Sequence, residues 1–369
     1  MNPGGPQIYL DANATEPLRP EARAAVLAAL DLTGNPSSVH AQGRAARRLL
    51  EDARDIIAAR WSARPEHVVF TSGGTEANAL AVAGLGAGRR VLIGATEHDA
   101  VRQAAPDAGI IPVDTQGRAD LAALAALLAD GPPALVCLMA ANNETGVRHP
   151  LAEAAALCRR HGALLHVDAV QAAGRLPLDL PGSGADSFAL SGHKLGGPPG
   201  AGALLLAPSA PPLAAQLRGG GQERGRRGGT PALPAIAGFA AAASAAPPDP
   251  AATAALRDAA ETAAIAAGAV VCGGAAERLP NTTCLALPGI RADAQVMALD
   301  LDGIAVSAGA ACSSGKVAAS HVLAAMGAGA LAGQAIRVSL AWNTAPAHIA
   351  RFAAAYAAIA ARLRTHLAA

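Results

Sequence analysis

The chain has 369 residues, long enough for two domains of ordinary size, and 52% of them are apolar while only 2% are aromatic. A core of this composition is built from Ala, Leu, Val and Ile, and its alanine content favours helices. The net charge of +1, from 29 basic and 28 acidic residues, gives no electrostatic footprint for nucleic acid or an anionic membrane.

The N-terminus, residues 1–10, has neither a basic start nor an apolar run of signal-peptide length. The Ala-rich stretch 235–246 is too short to span a bilayer and runs into Pro247 and Pro248. A soluble, cytoplasmic protein is expected. Five cysteines (137, 158, 272, 284 and 312) are odd in number and lack C-x-x-C pairing, which disfavours a disulfide framework or a zinc site.

Continuous short apolar runs predict strands at 67–70, 91–93, 110–113, 135–139, 164–168, 187–190 and 202–206, with helical patterns between several of them, as at 44–60 and 152–161. This is the pattern of an α/β fold whose mainly parallel sheet is covered on both faces. Ligands bind such sheets beyond the carboxyl ends of the strands. Polar clusters fall there, at 71–78, 97–98, 142–144, 168–171 and 191–194. Pro247, Pro248 and Pro250 mark a boundary between a large domain, 14–248, and a smaller α+β domain. The latter comprises 1–13 and 249–369, with a helix over 251–267, short strands near 282–287 and 336–340, and a C-terminal helix from about 347.

In FTSGGTEANAL (70–80), a strand end turns through glycines into a helix start. Backbone N–H groups there, with Gly74, Ser72 and Thr75, suit either a phosphate or an ordinary helix cap. No P-loop lysine follows, so a nucleoside triphosphate is disfavoured. In LLHVDAVQAAG (164–174), Asp168 ends a buried strand, where a carboxylate either caps the strand or holds a protonated ring nitrogen, with Gln171 within reach of the same ring. In SFALSGHKLGGPPGAGAL (187–204), Lys194 follows an apolar strand. A partly desolvated amine of this kind is able to form an imine with an aldehyde, and Ser191 and His193 flank it as phosphate partners.

The segment GGGQERGRRGGT (219–230) reads either as a flexible surface hairpin or as a loop closing over an anion. Cys312 lies among small residues in SAGAACSSGKVAASHV (307–322), the setting of an exposed nucleophilic thiol, whereas the other four cysteines read as buried.

Taken together, these segments resemble the cysteine desulfurases of the NifS/IscS type, within the class V aminotransferase fold. The similarity is carried nearly end to end by YLDANAT (9–15), GNPSSVHAQG (34–43), TSGGTEAN (71–78), EH (97–98), NNETG (142–146), HVDAVQAAG (166–174), SGHKLGGP (191–198), the 219–230 loop, SAGAACSSG (307–315) and IRVSL (336–340). The resemblance implies a pyridoxal 5′-phosphate (PLP)-dependent transferase of fold type I, with a seven-stranded sheet. Lys194 would carry the cofactor and move the substrate's α-proton. Asp168 would pair with the pyridinium nitrogen, Gln171 with the ring hydroxyl, and His98 would stack on the ring and, as a catalytic residue, move protons. Gly74, Thr75, Ser191 and His193 would hold the phosphate, joined by Thr230 from the partner subunit of a homodimer. Asn143 would contact cofactor and substrate, and Asn35 and Arg337 would grip the carboxylate of L-cysteine. Cys312 would take the sulfur as a persulfide, leaving alanine, and pass it to an acceptor protein for iron–sulfur or other thio-cofactor synthesis. The spacing from Cys312 to His321 resembles the long-loop members.

Three positions depart from the family pattern: Glu16 where Thr is usual, Asp99 after His98, and Pro199 in the turn after Lys194. A selenocysteine lyase or a transaminase on the same fold, and a non-catalytic sulfur carrier, are the competing readings. The Cys312 segment argues against a transaminase, which needs no protein thiol. The intact Lys194, Asp168, His98 and Cys312 argue against a carrier.

Overall fold

The computed structural model describes residues 7–309 and 319–368. In chain order the strands are β1 (Ile8–Tyr9), β2 (Val68–Thr71), β3 (Arg90–Gly94), β4 (Gly109–Ile111), β5 (Ala134–Cys137), β6 (Leu164–Asp168), β7 (Ser187–Ser191), β8 (Gly202–Leu206), β9 (Val270–Val271), β10 (Thr282–Ala286), β11 (Ile304–Ala305), β12 (Ser307–Ala308) and β13 (Ala335–Ser339).

Seven strands form one sheet in the order β2-β8-β7-β6-β5-β3-β4. From β7 to β4 every pairing is parallel, whereas β8 runs antiparallel to both β7 and β2. The reversal at β8 follows from chain length. A parallel return needs a crossover of a dozen or more residues, and only 192–201 separate β7 from β8. That short turn carries Lys194. Because β2 is antiparallel to β8, it is parallel to β7, so Thr71, Gly94, Cys137, Asp168 and Ser191 all end strands at one edge of the sheet.

The strands are buried on both faces, as their unbroken apolar runs require. Ile111 ends β4 one residue short of Pro112, which has no N–H to offer a ladder. One helix starts earlier than its periodicity indicates, at Ala41 rather than 44, because the His40 ring caps Gly43 N–H.

With few aromatics, the helices pack closely through small residues. The helix Leu233–Ser244 lies against Pro20–Leu30, and a Cβ added at Gly238 would meet Val26 Cγ2 at 2.7 Å and Pro198 Cδ at 2.6 Å. Pro247 and Pro248 link that helix to Pro250–Ala266, in which Pro250 takes the first helical position and Asp249 caps Ala251 N–H.

A second, antiparallel sheet has the order β12-β13-β10-β9, and β1 pairs with β11. Ile8 and Leu10 share a buried cluster with Leu285, Ile336, Phe352 and Tyr356, so the N-terminal strand packs with the C-terminal elements. The bridge from Asp11 to Ser339 then carries the chain to the edge of the large sheet. Cys137, Cys158, Cys272 and Cys284 are buried, as expected. Among the described residues no helix is long and apolar enough to cross a membrane.

Candidate active site

The carboxyl edge of the large sheet borders an open cleft of about 580 Å³, open solvent space included. Its lining includes Gly74, Thr75, His98, Asn143, Asp168, Gln171, Ser191, His193 and Lys194. Nine of the candidate residues, scattered over 120 positions of sequence, thus meet in one place.

One wall is an anion cradle. β2 ends at Thr71, and the helix Gly74–Leu85 begins immediately at the cleft, so its first N–H groups face inward with the Thr75 side chain. Gly74 permits this approach: a Cβ there would meet Val170 Cγ2 at 2.7 Å. Ser191, at the end of β7, is buried on the same side.

The floor is Asp168. Its Oδ2 accepts a hydrogen bond from Asn78 Nδ2 at 2.7 Å and its Oδ1 accepts from Val170 N–H at 3.0 Å. Asn78 Oδ1 meets His166 Nε2 at 2.9 Å, and His166 Nδ1 meets Ser187 Oγ at 2.8 Å. Burial pushes the His166 pKa down to about 3, so the ring is neutral. Its Nε2–H donates to Asn78, which turns the Asn78 amide nitrogen toward Asp168. The carboxyl of Asp168 is raised above its ordinary value by burial, against the pull of Val170 N–H and of the charges on His98 and Lys194. A buried carboxylate whose hydrogen-bonding neighbours are neutral is a receptor for a cation, and a pyridinium N–H fits it.

Lys194 lies in the short turn after β7. Its Nζ donates to the carbonyl of Ala14 at 3.0 Å and to that of Asn13. Burial, reinforced by Arg337 and Arg175, lowers its pKa to about 7. An amine with a substantial uncharged fraction at neutral pH is what an aldehyde-binding lysine requires. His193 is also lowered, to about 4, by burial and by Lys194, and its Nδ1 meets Thr15 Oγ1 at 2.9 Å. His98 lines the opposite wall, its ring held by Ala100 N–H donating to Nδ1 at 3.0 Å.

The turn 142–145 is held by its own side chains: Asn142 Oδ1 accepts from the N–H groups of Glu144 and Thr145, both at 2.9 Å. The Asn143 carbonyl accepts from Arg337 Nη1 and from Asn13 Nδ2, each at 3.1 Å. Arg337, buried on β13, also donates to Asp11 Oδ1 at 2.7 Å, and its Nε is buried without a partner. That orphaned donor beside the cleft suits a carboxylate.

Besides Arg337, which borders the cleft, two described candidate residues are not part of its lining. Asn35 is exposed, and its Oδ1 accepts from Ser37 N–H at 2.9 Å. Thr230 lines a separate hollow with Ser72 and Arg227. The 219–230 loop is neither a loose hairpin nor a free basic patch. Glu223 is buried in a two-pronged pair with Arg54, both contacts 2.8 Å, and accepts from Phe70 N–H. Arg227 pairs with Glu76 at 2.7 Å, and Arg226 donates to the carbonyls of Glu66 and Val68. Two of the three loop arginines are thus engaged by the protein itself.

Cys312 lies outside the described residues. On either side of that segment, Ser320 Oγ donates to the buried Glu144 carboxylate at 2.6 Å, and a Cβ added at Gly309 would meet the same carboxylate at 2.5 Å. Asn13, Asn78, His166 and Arg175 also contribute to the site without having been singled out for it. Alternation along β6 was the available signal for His166, which shares a strand face with Asp168. Helical spacing was the signal for Asn78, one turn on from Thr75.

Comparison with protein families matches residues 8–352 to "Aminotransferase class-V". A cysteine desulfurase of Cereibacter sphaeroides is 43% identical, the alignment covering 92% of each chain. An IscS-like cysteine desulfurase of Mycobacterium tuberculosis is 38% identical over 92% of this chain and 93% of its own. Among solved structures, a NifS-like protein from Rickettsia africae superposes with a TM-score of 0.88 at 34% identity, covering 96% of this chain and 99% of its own. DndA from Streptomyces lividans gives 0.72 at 32%, covering 90% and 99%. The chain therefore belongs to the class-V aminotransferase family, among its cysteine desulfurases of the NifS/IscS type. Members of this family are PLP-dependent enzymes, and the anion cradle, buried carboxyl and lysine of lowered pKa fit that cofactor.

Proposed function

We propose that the protein is a cysteine desulfurase, a sulfurtransferase that converts L-cysteine to L-alanine and leaves the sulfur as a persulfide on Cys312. The observation that carries this reading is the meeting of Lys194, Asp168, His98 and the Gly74–Thr75 cradle in one cleft, in a chain 43% identical to a cysteine desulfurase. When bound, PLP supplies an aldehyde for the substrate amine and a ring that accepts electrons from its α-carbon.

The chain's own residues supply the rest. Thr75, Ser191 and His193, with the N–H groups at Gly74, would hold the phosphate. Asp168 would hold the ring nitrogen in its protonated form, with Asn78 and His166 keeping that carboxyl aimed. Gln171 would donate to the ring hydroxyl and His98 would stack on the ring. Lys194, with its pKa lowered to about 7 so that a large fraction of its Nζ is uncharged at neutral pH, would bond the aldehyde and, once released, would take and return the α-proton. Arg337, with its spare Nε–H, receives the substrate carboxylate next to Asn143. The Cys312 thiol takes the sulfur: the carbon–sulfur bond of cysteine breaks, a sulfur–sulfur bond forms on Cys312, and alanine leaves.

Thr230 and Asn35 lie outside the cleft within one chain, so their roles call for a second copy and for movement of the 34–43 turn, respectively. The domains proposed are a large unit over 14–248 and a smaller one over 1–13 and 249–369. The persulfide is passed to a sulfur-acceptor protein. The protein loaded with PLP and given L-cysteine and a thiol reductant is expected to release alanine and sulfide in equal amounts. Cys312→Ser should keep the cofactor and lose the sulfide, and sulfide release at the wild-type rate by that variant would refute the assigned acceptor.

A further inference from the structure

A connected polar path runs from the second sheet into the cleft through a residue that departs from the family pattern. Glu16 Oε1 accepts from Trp342 N–H at 2.6 Å, just beyond β13, and Oε2 accepts from Arg175 Nη2 at 3.1 Å. Arg175 Nη1 donates to the Gln171 backbone carbonyl at 3.1 Å and, in a short contact, to its side-chain oxygen. Gln171 Nε2 then donates to the Asn13 carbonyl, the same carbonyl that receives Lys194 Nζ. Both members of the ion pair are buried, with side chains 8% and 6% exposed.

Two features make this more than a structural pair. An arginine has no acceptor, so it fixes which end of the Gln171 amide faces it: the oxygen. The amide nitrogen gives one hydrogen to the Asn13 carbonyl and keeps its second for a ring oxygen in the cleft that Gln171 lines. A buried ion pair is moreover weak evidence for stability, since apolar groups of similar size often serve a fold as well. A threonine at position 16 would leave the Arg175 charge without its counter-ion.

We propose that Arg175, neutralised by Glu16, is a positioning residue that orients Gln171 toward the cofactor ring and sets the charge felt at the Lys194 end of the cleft. This rests on PLP occupying the cleft as proposed above. Arg175 is one of the two cations depressing the basicity of Lys194, after burial itself and Arg337. The other charged groups bearing on that corner, Arg337, Asp11, Asp168 and His98, stay in place in the test below.

The test is a pH titration of the visible absorbance of the PLP-loaded protein, with the PLP dissociation constant measured alongside by fluorescence. In Arg175→Met, a cation and the anchor of a hydrogen-bond donor are both lost, so the midpoint should rise by ~1 pH unit and the dissociation constant by about tenfold. Arg175→Lys should fall between Met and wild type. Glu16→Gln keeps the shape and leaves the arginine charge uncompensated, so its midpoint should move down. It also serves if the methionine variant fails to fold. A purely structural pair would lower the melting temperature of these variants and leave the midpoint where it was, and that result would overturn the proposal. Wild-type protein that takes up no PLP would overturn the cofactor placement as well, so the two failures are distinguishable.

Discussion

Lys194 offers a quantitative test, because its environment and not its identity makes it reactive. Its pKa of about 7, against an ordinary 10.5, is a difference of 10.5 − 7 = 3.5 units, set first by burial and then by Arg337 and Arg175. At pH 7.5 roughly three-quarters of the Lys194 amines would be neutral, against roughly one in a thousand for a free lysine, so the reactive fraction is raised by between two and three powers of ten. The sequence simplifies the assay, since the chain contains two lysines, Lys194 and Lys316. Trace acetic anhydride added to the cofactor-free protein, with N-acetyl-lysine in the same mixture as standard, allows the Lys194 peptide to be quantified by mass spectrometry across pH. Labelling should climb to a plateau through a midpoint near pH 7. The linkage has a definite sign. Between the two pKa values the unfolded chain keeps the proton that the folded chain has shed, so stability rises with pH across that window, and Lys194→Met should abolish this slope. Labelling that keeps rising with the standard up to about pH 10 would refute the reasoning.

Three further outcomes follow from the site and its supports. Asn78→Ala leaves a face of the Asp168 carboxyl and the His166 ring without partners, which should cost about 1–3 kcal/mol in urea unfolding and weaken PLP binding; unchanged affinity would remove Asn78 from the site. Glu97 is fully buried, with Oε1 accepting from Met139 N–H and Oε2 without a partner, and burial followed by Asp168 drives its pKa well above the ordinary 4.5. The folded chain then holds a proton that the unfolded chain releases above pH 4.5, so the Glu97 contribution to stability falls as pH rises from there, and the melting temperature of Glu97→Gln should gain on that of wild type from acid to neutral pH. A constant margin would mean the carboxyl is ionised. Glu223→Ala should lose about 3–5 kcal/mol by stranding Arg54, and Arg54→Leu in the same chain should recover part of it; no loss in the single variant would show the loop is not pinned as described.

The large sheet was legible because its strands are buried on both faces and therefore read as unbroken apolar runs, while the segments between them keep a helical period. Ends were less legible, as with the ring of His40, which caps a helix although histidine is seldom chosen for that position. In the site, residues carrying chemistry stood out at strand ends: Asp168 after a buried strand and Lys194 before a glycine turn. Their supports did not, because Asn78 with Asp168, His166 with Asn78 and Arg175 with Glu16 form pairs 88–159 positions apart that only folding brings near. The 219–230 loop was the least legible segment. Its arginines and glycines suggested a mobile anion clamp, yet Glu223, the lone acid of that segment, is what fastens it to Arg54 and Phe70. One stronger signal went unused: with two lysines in the chain, the choice of an aldehyde-binding amine was already narrowed to Lys194 and Lys316.

The proposed reaction requires that sulfur leave cysteine and arrive on one particular side chain. Brief incubation of the PLP-loaded protein with L-cysteine, without reductant, followed by alkylation and peptide mass spectrometry, tests it directly. The peptide containing Cys312 is expected to gain the mass of one sulfur atom, with Cys137, Cys158, Cys272 and Cys284 unchanged. Alanine formed in stoichiometric amount with Cys312 unmodified would contradict it.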